Sequence, residues 1–129
     1  MSSDSVASML SKMLNFEKAG KRECIVRPIS KVGKKVLEIM RDNQYIGEFN
    51  EVKDSRGIYV VIQLIGNINN CNAIKPRFAV SKGTYEKFEK RFLPARDFGM
   101  LIVSTNKGMK THTEAKKENL GGKLVAYCY

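Results

Sequence analysis

The sequence predicts an α+β protein made of two small lobes. Three observations carry that expectation. Apolar residues recur at helical spacing near the start, two strand-like runs flank a hairpin turn signal, and a second series of short strands and short helices follows an asparagine-rich connector. The first lobe reads helix, strand, helix, strand, strand over residues 1–66. The second, residues 67–129, reads as mostly β with short helices.

Val6, Met9, Leu10, Met13 and Leu14 fall on one helical stripe, with Ser3 or Asp4 placed to cap the start and Gly20 placed to end it. Residues 23–27 contain Cys24, Ile25 and Val26, stop before Pro28 and read as a strand. Ser30 is positioned as the cap of a second helix. That helix turns Val32, Val36, Ile39 and Met40 inward, with Lys31, Lys34, Lys35 and Arg41 largely on its other side. Residues 45–53 and 57–65 are rich in strand formers, and the turn residues 53–57 between them mark a hairpin. Tyr59 to Ile65 is almost continuously apolar, which predicts a central strand.

Residues 66–72 hold four Asn and one Gly and form the expected connector, where the lobe boundary is placed. Beyond it, residues 73–80 read as extended, with Pro76 demoting them to a sheet edge. Residues 84–92 read as a short helix around Tyr85, Phe88 and Phe92, and residues 98–105 as a buried strand built on Met100, Leu101, Ile102 and Val103. A polar turn, a short helix from about Thr111 to Asn119, a break at Gly121-Gly122 and a last strand over 123–129 complete the chain.

Charge sets the class of partner. The net charge is +10. Residues 1–66 carry 11 basic and 8 acidic side chains and residues 67–129 carry 12 and 5, so the excess rises from +3 to +7 between the lobes. Like charges repel in a compact state, so such an excess points to a polyanionic partner, nucleic acid above all, met mainly by the second lobe. Cys24, Cys71 and Cys128 are widely spaced, without a C-x-x-C pair; Cys24 and Cys128 sit among apolar neighbours as small core residues. Those three and His112, the only histidine, lack the paired spacing of a zinc site, so no metal is expected. No apolar run approaches the roughly 18 residues of a membrane span. The expectation is a soluble protein of a reducing, intracellular compartment.

Catalysis has little to stand on. His112 and Glu114 can be written as an acid/base pair, but two residues apart at a helix start they also read as a cap or packing contact. No phosphate-cradling glycine loop occurs and no Ser or Cys has a base beside it in a motif. No catalytic residue, cofactor or small-molecule substrate is expected.

The candidate binding residues centre on Ser104, Thr105, Asn106, Lys107 and Gly108, read as a turn that follows the strongest strand and precedes a helix. Short hydroxyl and amide side chains suit the shallow minor groove of RNA, with its 2′-hydroxyls and base edges, while Lys107 and Lys110 add phosphate contacts. Taken alone the segment reads first as an ordinary polar turn, since Ser, Thr, Asn and Gly are turn residues. Ser30 and Lys31 in the first lobe, and Lys75, Arg77 and Lys123 in the second, stand in further basic groups able to follow a phosphate backbone.

Several stretches together carry a resemblance. They are Arg27-Pro28-Ile29-Ser30-Lys31, Tyr45-Ile46-Gly47-Glu48-Phe49, Ala73-Ile74-Lys75-Pro76-Arg77-Phe78, Phe92-Leu93-Pro94-Ala95-Arg96-Asp97-Phe98-Gly99, Ser104-Thr105-Asn106-Lys107-Gly108 and Gly121-Gly122-Lys123. From about Asp4 to Tyr129 the chain resembles universal small-subunit ribosomal protein eight in its archaeal and eukaryotic form, the segment from Phe78 to Phe98 looking like the longer, non-bacterial version. The resemblance implies a two-lobed structural protein of the cytoplasmic small ribosomal subunit. It implies direct binding to the central domain of the rRNA, early platform assembly and neighbouring small-subunit proteins as further partners. It assigns the principal rRNA grip to Ser104, Thr105, Asn106, Lys107 and Gly108 with the loop Gly121, Gly122 and Lys123. The family often has Ser where Asn106 stands, Met where Lys110 stands and Gly where Gln44 stands. Three rivals are a translational regulator that binds an mRNA mimicking the rRNA site, an enzyme dependent on His112, and a DNA-binding module; neither long helix offers the Arg- and Asn-rich face that the last requires.

Overall fold

A computed structural model describes residues 5–26, 30–75, 77–81, 83–95 and 98–129. The expected caps Ser3 and Asp4, the strand end at Arg27, the edge proline Pro76 and the basic residue Arg96 lie outside them. The fold is α+β, with the order α1 (Ser5–Lys18), β1 (Glu23–Val26), α2 (Lys31–Asp42), β2 (Ile46–Asp54), β3 (Gly57–Leu64), β4 (Cys71–Ala73), β5 (Ala79–Val80), α3 (Tyr85–Phe92), β6 (Met100–Thr105), β7 (Gly108–Thr111), α4 (His112–Lys117) and β8 (Gly122–Cys128). The chain divides into two compact units, Met1–Asn69 and Asn70–Tyr129.

In the first unit the antiparallel sheet has the order β1-β3-β2, so the apolar β3 is central as expected. Its residues nonetheless alternate from Tyr59 onward: Val60, Ile62 and Leu64 are buried, while Tyr59 and Val61 are half-buried and Gln63 is exposed. The helices cover the buried face, where Arg41 of α2 stacks on Phe49 and Lys34 of α2 pairs with Glu51. Ser30 caps α2 through its hydroxyl, which accepts the Gly33 N–H at 3.0 Å. The buried face of α2 is Gly33, Val36, Leu37 and Met40. Val32 and Ile39, expected inside, are only half-buried, because the stripe turns toward Leu37.

Helices α1, α2 and α4 end in one way. The residue after the cap takes a left-handed φ, and its N–H and the next one return to carbonyls of the last turn. At α1 the left-handed residue is Gly20 (φ 74), with Gly20 N–H on Glu17 O at 3.1 Å and Lys21 N–H on Phe16 O at 3.0 Å. At α4 it is Asn119 (φ 58), with Leu120 N–H on Ala115 O at 2.8 Å. At α2 it is Gln44 (φ 64), with Tyr45 N–H on Met40 O at 2.9 Å. Gln44 stands where the resembled family commonly has Gly, and the side chain here is held in a conformation that glycine takes freely.

The second unit is built on a mixed-length antiparallel sheet, β4-β8-β6-β7, with β5 also on β8. Leu101, Val103 and Leu124 bury one face of it against Tyr85 and Phe88 of α3 and Ala115 of α4. Three expectations change here. Cys71 and Asn72, read as connector, belong to β4, because Cys71 pairs with Cys128 and is buried. The extended run 73–80 is two short edge strands, β4 and β5, both on β8. The segment from Ser104 to Gly108 does not hand over to a helix. It is the tip of the β6–β7 hairpin, and the helix starts only at His112, after β7 and its cap Thr111.

All three cysteines are buried and none is in a disulfide. His112 is also buried. Its Nδ1 accepts the Leu101 N–H at 3.0 Å, which leaves Nε2 as the protonated nitrogen facing Glu89 Oε1 at 3.0 Å. Lys116 Nζ reaches the same carboxylate oxygen at 2.6 Å. The histidine thus ties α4 to α3 and β6. Glu114, its sequence neighbour, instead receives the Thr111 hydroxyl at 3.2 Å.

Candidate RNA interface

Two glycines make the site possible. Gly122 lies between two strands, opposite Val80 of β5 and Thr105 of β6. A Cβ on Gly122 would sit 2.9 Å from the carbonyl carbon of Ser104 and 3.2 Å from Thr105 Cα. One on Gly121 would sit 2.6 Å from Val80 O and 3.1 Å from Ser81 Cα. All four are backbone atoms, so side chains at these positions would push the three strands apart. Their absence lets β5, β6 and β8 meet closely where β8 begins.

The hairpin tip rises beside that junction. Asn106 and Lys107 have negative φ, and Gly108 (φ 105) takes up the twist that lets the chain return as β7. The Thr105 hydroxyl locks the turn from within: it donates to Gly108 O at 2.6 Å and accepts the Lys107 N–H at 3.1 Å. Each such bond contributes on the order of 1 kcal/mol. The tip is therefore preformed, and Asn106 and Lys107 point from it as exposed side chains. The first unit's β2–β3 hairpin uses the same device, with the Asp54 carboxylate accepting the Arg56 N–H at 2.8 Å ahead of Gly57 (φ 120).

Tip and junction together border a shallow depression of about 400 Å³. Ser104, Thr105 and Asn106 form one wall, Gly122 and Lys123 another, and Arg77 and Ala79 the third. Among the described residues, two cations line it and no acidic residue does. Among the described residues the Ser104, Asn106, Arg77, Lys107 and Lys123 side chains have no hydrogen-bond or ion-pair partner, so their donors and acceptors remain available to a ligand. Ala79 was not indicated by the sequence; it faces the site because its strand places it opposite Lys123.

The remaining predicted residues stand elsewhere. Lys110, on β7, pairs with Glu118 at 2.9 Å, its side chain only 20% exposed. The hydrogen bond it donates to Glu118 is the main cause that raises its pKa, burial working the other way. This lysine fastens β7 to the end of α4 rather than presenting a free charge. Gly108 shapes the tip and Gly121 seats β5, so both act through the backbone. Lys75 is exposed. Ser30 and Lys31 belong to the first unit, the Ser30 hydroxyl being used in its helix cap.

Among the described residues no cluster of three or more metal-binding side chains is found, and no helix is long and apolar enough to cross a membrane. A preformed polar tip beside unpaired cations, in a chain of net charge +10, places the protein among the basic nucleic-acid-binding proteins. The family model for ribosomal protein S8 matches residues 4–129, and the chain belongs to that family. It is accordingly a small-subunit ribosomal protein that binds rRNA and takes part in the translation ribonucleoprotein, in a family of structural proteins rather than enzymes.

Proposed function

We propose that this chain binds the central domain of small-subunit rRNA in the cytoplasmic small subunit, as a primary binder that helps to build the platform, and that it is of the archaeal and eukaryotic type. The observation that carries the proposal is the convergence of Ser104, Thr105, Asn106, Gly122, Lys123 and Arg77 on one depression, free of acidic side chains among the described residues, at the end of a sheet. Recognition is by shape. The Asn106 amide and Ser104 hydroxyl enter a minor groove and meet 2′-hydroxyls and base edges, while Arg77, Lys107 and Lys123 hold the flanking phosphates. Thr105, Gly108, Gly121 and Gly122 keep the tip in place, Lys110 supports it through Glu118, and Lys75 adds a peripheral phosphate contact. In the first unit, Ser30 presents Lys31 at the start of α2 to a neighbouring rRNA helix. The archaeal and eukaryotic assignment rests on the resemblance of residues 78–98, whose described part supplies β5 and α3.

The test is a filter-binding titration of the full chain against a central-domain rRNA fragment and an unrelated duplex. Asn106→Ala with Ser104→Ala should weaken the rRNA fragment about tenfold or more and leave the unrelated duplex unchanged. Lys123→Ala should weaken both and lower the salt slope by about one phosphate contact. Unchanged affinity of the double variant for the rRNA fragment would remove the hairpin tip from the interface. Tighter binding of the wild-type chain to an mRNA stem than to the rRNA fragment would favour a translational regulator instead.

A further inference from the structure

Two of the buried thiols face each other across the sheet of the second unit. Cys71 of β4 is the register partner of Cys128 of β8. The hydrogen bonds around them define the kind of pair. Asn70 and Tyr129 exchange both backbone bonds, at 2.9 and 2.8 Å, and Ile74 N–H reaches Val125 O at 2.9 Å. In an antiparallel ladder bonded and non-bonded pairs alternate, which makes Cys71 and Cys128 a non-bonded pair. Such pairs have the closer backbones, about 4.5 Å between Cα atoms, with side chains on the same face. A disulfide requires Cα atoms roughly 4.4–6.8 Å apart. The backbone therefore already meets the requirement, without a change of register.

We propose that Cys71 and Cys128 form a redox-sensitive cross-strand staple, a dithiol that closes to a disulfide when the glutathione pool turns oxidising and reopens when it is reduced. The oxidant is glutathione disulfide. One cysteine thiolate attacks a glutathione sulfur, breaking that disulfide and releasing one glutathione thiolate. The second cysteine thiolate then attacks the protein sulfur of the mixed disulfide and releases the other. Two protein thiols lose two electrons and two protons, and the glutathione disulfide becomes two glutathiones. Access comes from β4, an edge strand of three residues paired to β8 alone, whose local opening exposes both sulfurs. Cys24 offers no such chemistry. Its register partner is Ile62, and burial pushes its thiol pKa up.

The consequence lies in what the staple encloses. The closed loop runs from β4 to the end of β8 and so includes α3, the β6–β7 hairpin and the Gly121-Gly122 junction. Closing so long a loop removes freedom from the unfolded chain and stabilises the native unit, with no change at the RNA depression, which borders the other end of β8. The proposal does not rest on the rRNA reading, because its signatures are mass and melting temperature.

The experiment equilibrates the intact chain with graded ratios of reduced to oxidised glutathione. Expected are a loss of two hydrogens in mass, a Cys71–Cys128 cross-linked peptide, one remaining titratable thiol, and a melting temperature higher by at least about 5 °C, reversed by dithiothreitol. Cys24→Ser should behave identically but retain no thiol, whereas Cys128→Ser should show no such shift. Three unreacted thiols at every ratio, a chain that only accumulates glutathione adducts, or a cross-link involving Cys24 would each overturn the proposal.

Discussion

Gly122→Ala puts the geometry of the interface under the most direct strain. Gly122 is not among the glycines with left-handed φ, so alanine can adopt its backbone and the cost is steric alone. The added Cβ would run into the Ser104 carbonyl oxygen, its nearest neighbour, and lie 2.9 Å from the Ser104 carbonyl carbon and 3.2 Å from Thr105 Cα. Comfortable carbon–carbon contact begins near 3.5–4.0 Å, so β6 and β8 must part by roughly 1 Å. No rotamer relieves the clash, because the obstacle is backbone. Overpacking costs about 1–3 kcal/mol, and the upper end applies where strands are paired on both sides. A loss of about 3 kcal/mol lowers the melting temperature by roughly 10 °C. Thermal unfolding followed by circular dichroism measures it. Gly83→Ala is the control: nothing lies within 4 Å of its Cβ, its φ is not left-handed, and a small gain of about 0.5 kcal/mol is expected. Below its melting point, Gly122→Ala should also bind rRNA at least about tenfold more weakly, because Ser104 and Thr105 move with β6. A variant that melts with the wild type and binds as well would refute the close approach of the two strands.

Other perturbations separate the fold from the site. Gln44→Gly should stabilise the chain by about 1 kcal/mol, seen as a higher denaturant midpoint, because φ 64 suits glycine and the bonds that close α2 are unchanged. Glu89→Ala leaves the buried His112 Nε2–H without its acceptor and should cost about 2 kcal/mol in a urea titration, while rRNA affinity measured on the folded fraction stays the same. Stability should fall as pH rises past 10. Burial raises the pKa of Tyr85, whose hydroxyl donates to Leu120 O at 2.8 Å, and the Glu118 hydrogen bond raises that of Lys110. Both folded values lie above the unfolded ones, so their contributions are complete below the ordinary pKa and disappear as pH climbs through the raised ones. An alkaline urea series reads this, and Tyr85→Phe should shrink the fall.

Periodicity and turn chemistry made much of the fold legible. Ser30 as a cap, Gly20 as a stop and the turn before Gly57 are local signals, and each element formed where its own residues indicated. What escaped was non-local. Asn106-Lys107-Gly108 reads as a polar turn, and only pairing with β6 turns Gly108–Thr111 into β7 rather than a helix start. Cys71 looked like connector because its strand partner lies at the far end of the unit. Glu89 could not be linked to His112 from the sequence, since α3 meets α4 only after the sheet has formed. Residue type alone pointed to Ser104, Asn106 and Lys123, which the fold gathers around one depression. The pairing of Lys110 with Glu118 was not legible, because the carboxylate reaches it only once α4 has turned back beside β7. Ala79 has no chemistry to announce it; register alone places it.

The central claim is that the β6–β7 tip touches the central domain of small-subunit rRNA, and a photo-cross-linker introduced at Asn106 in assembled small subunits tests it most directly. The side chain is exposed and has no partner among the described residues, so the substitution leaves the fold alone. The structure predicts a cross-link confined to a few consecutive nucleotides of the central domain, lost on competition with an excess of wild-type chain during assembly. Cross-links to protein alone, or spread over rRNA domains without preference, would contradict it.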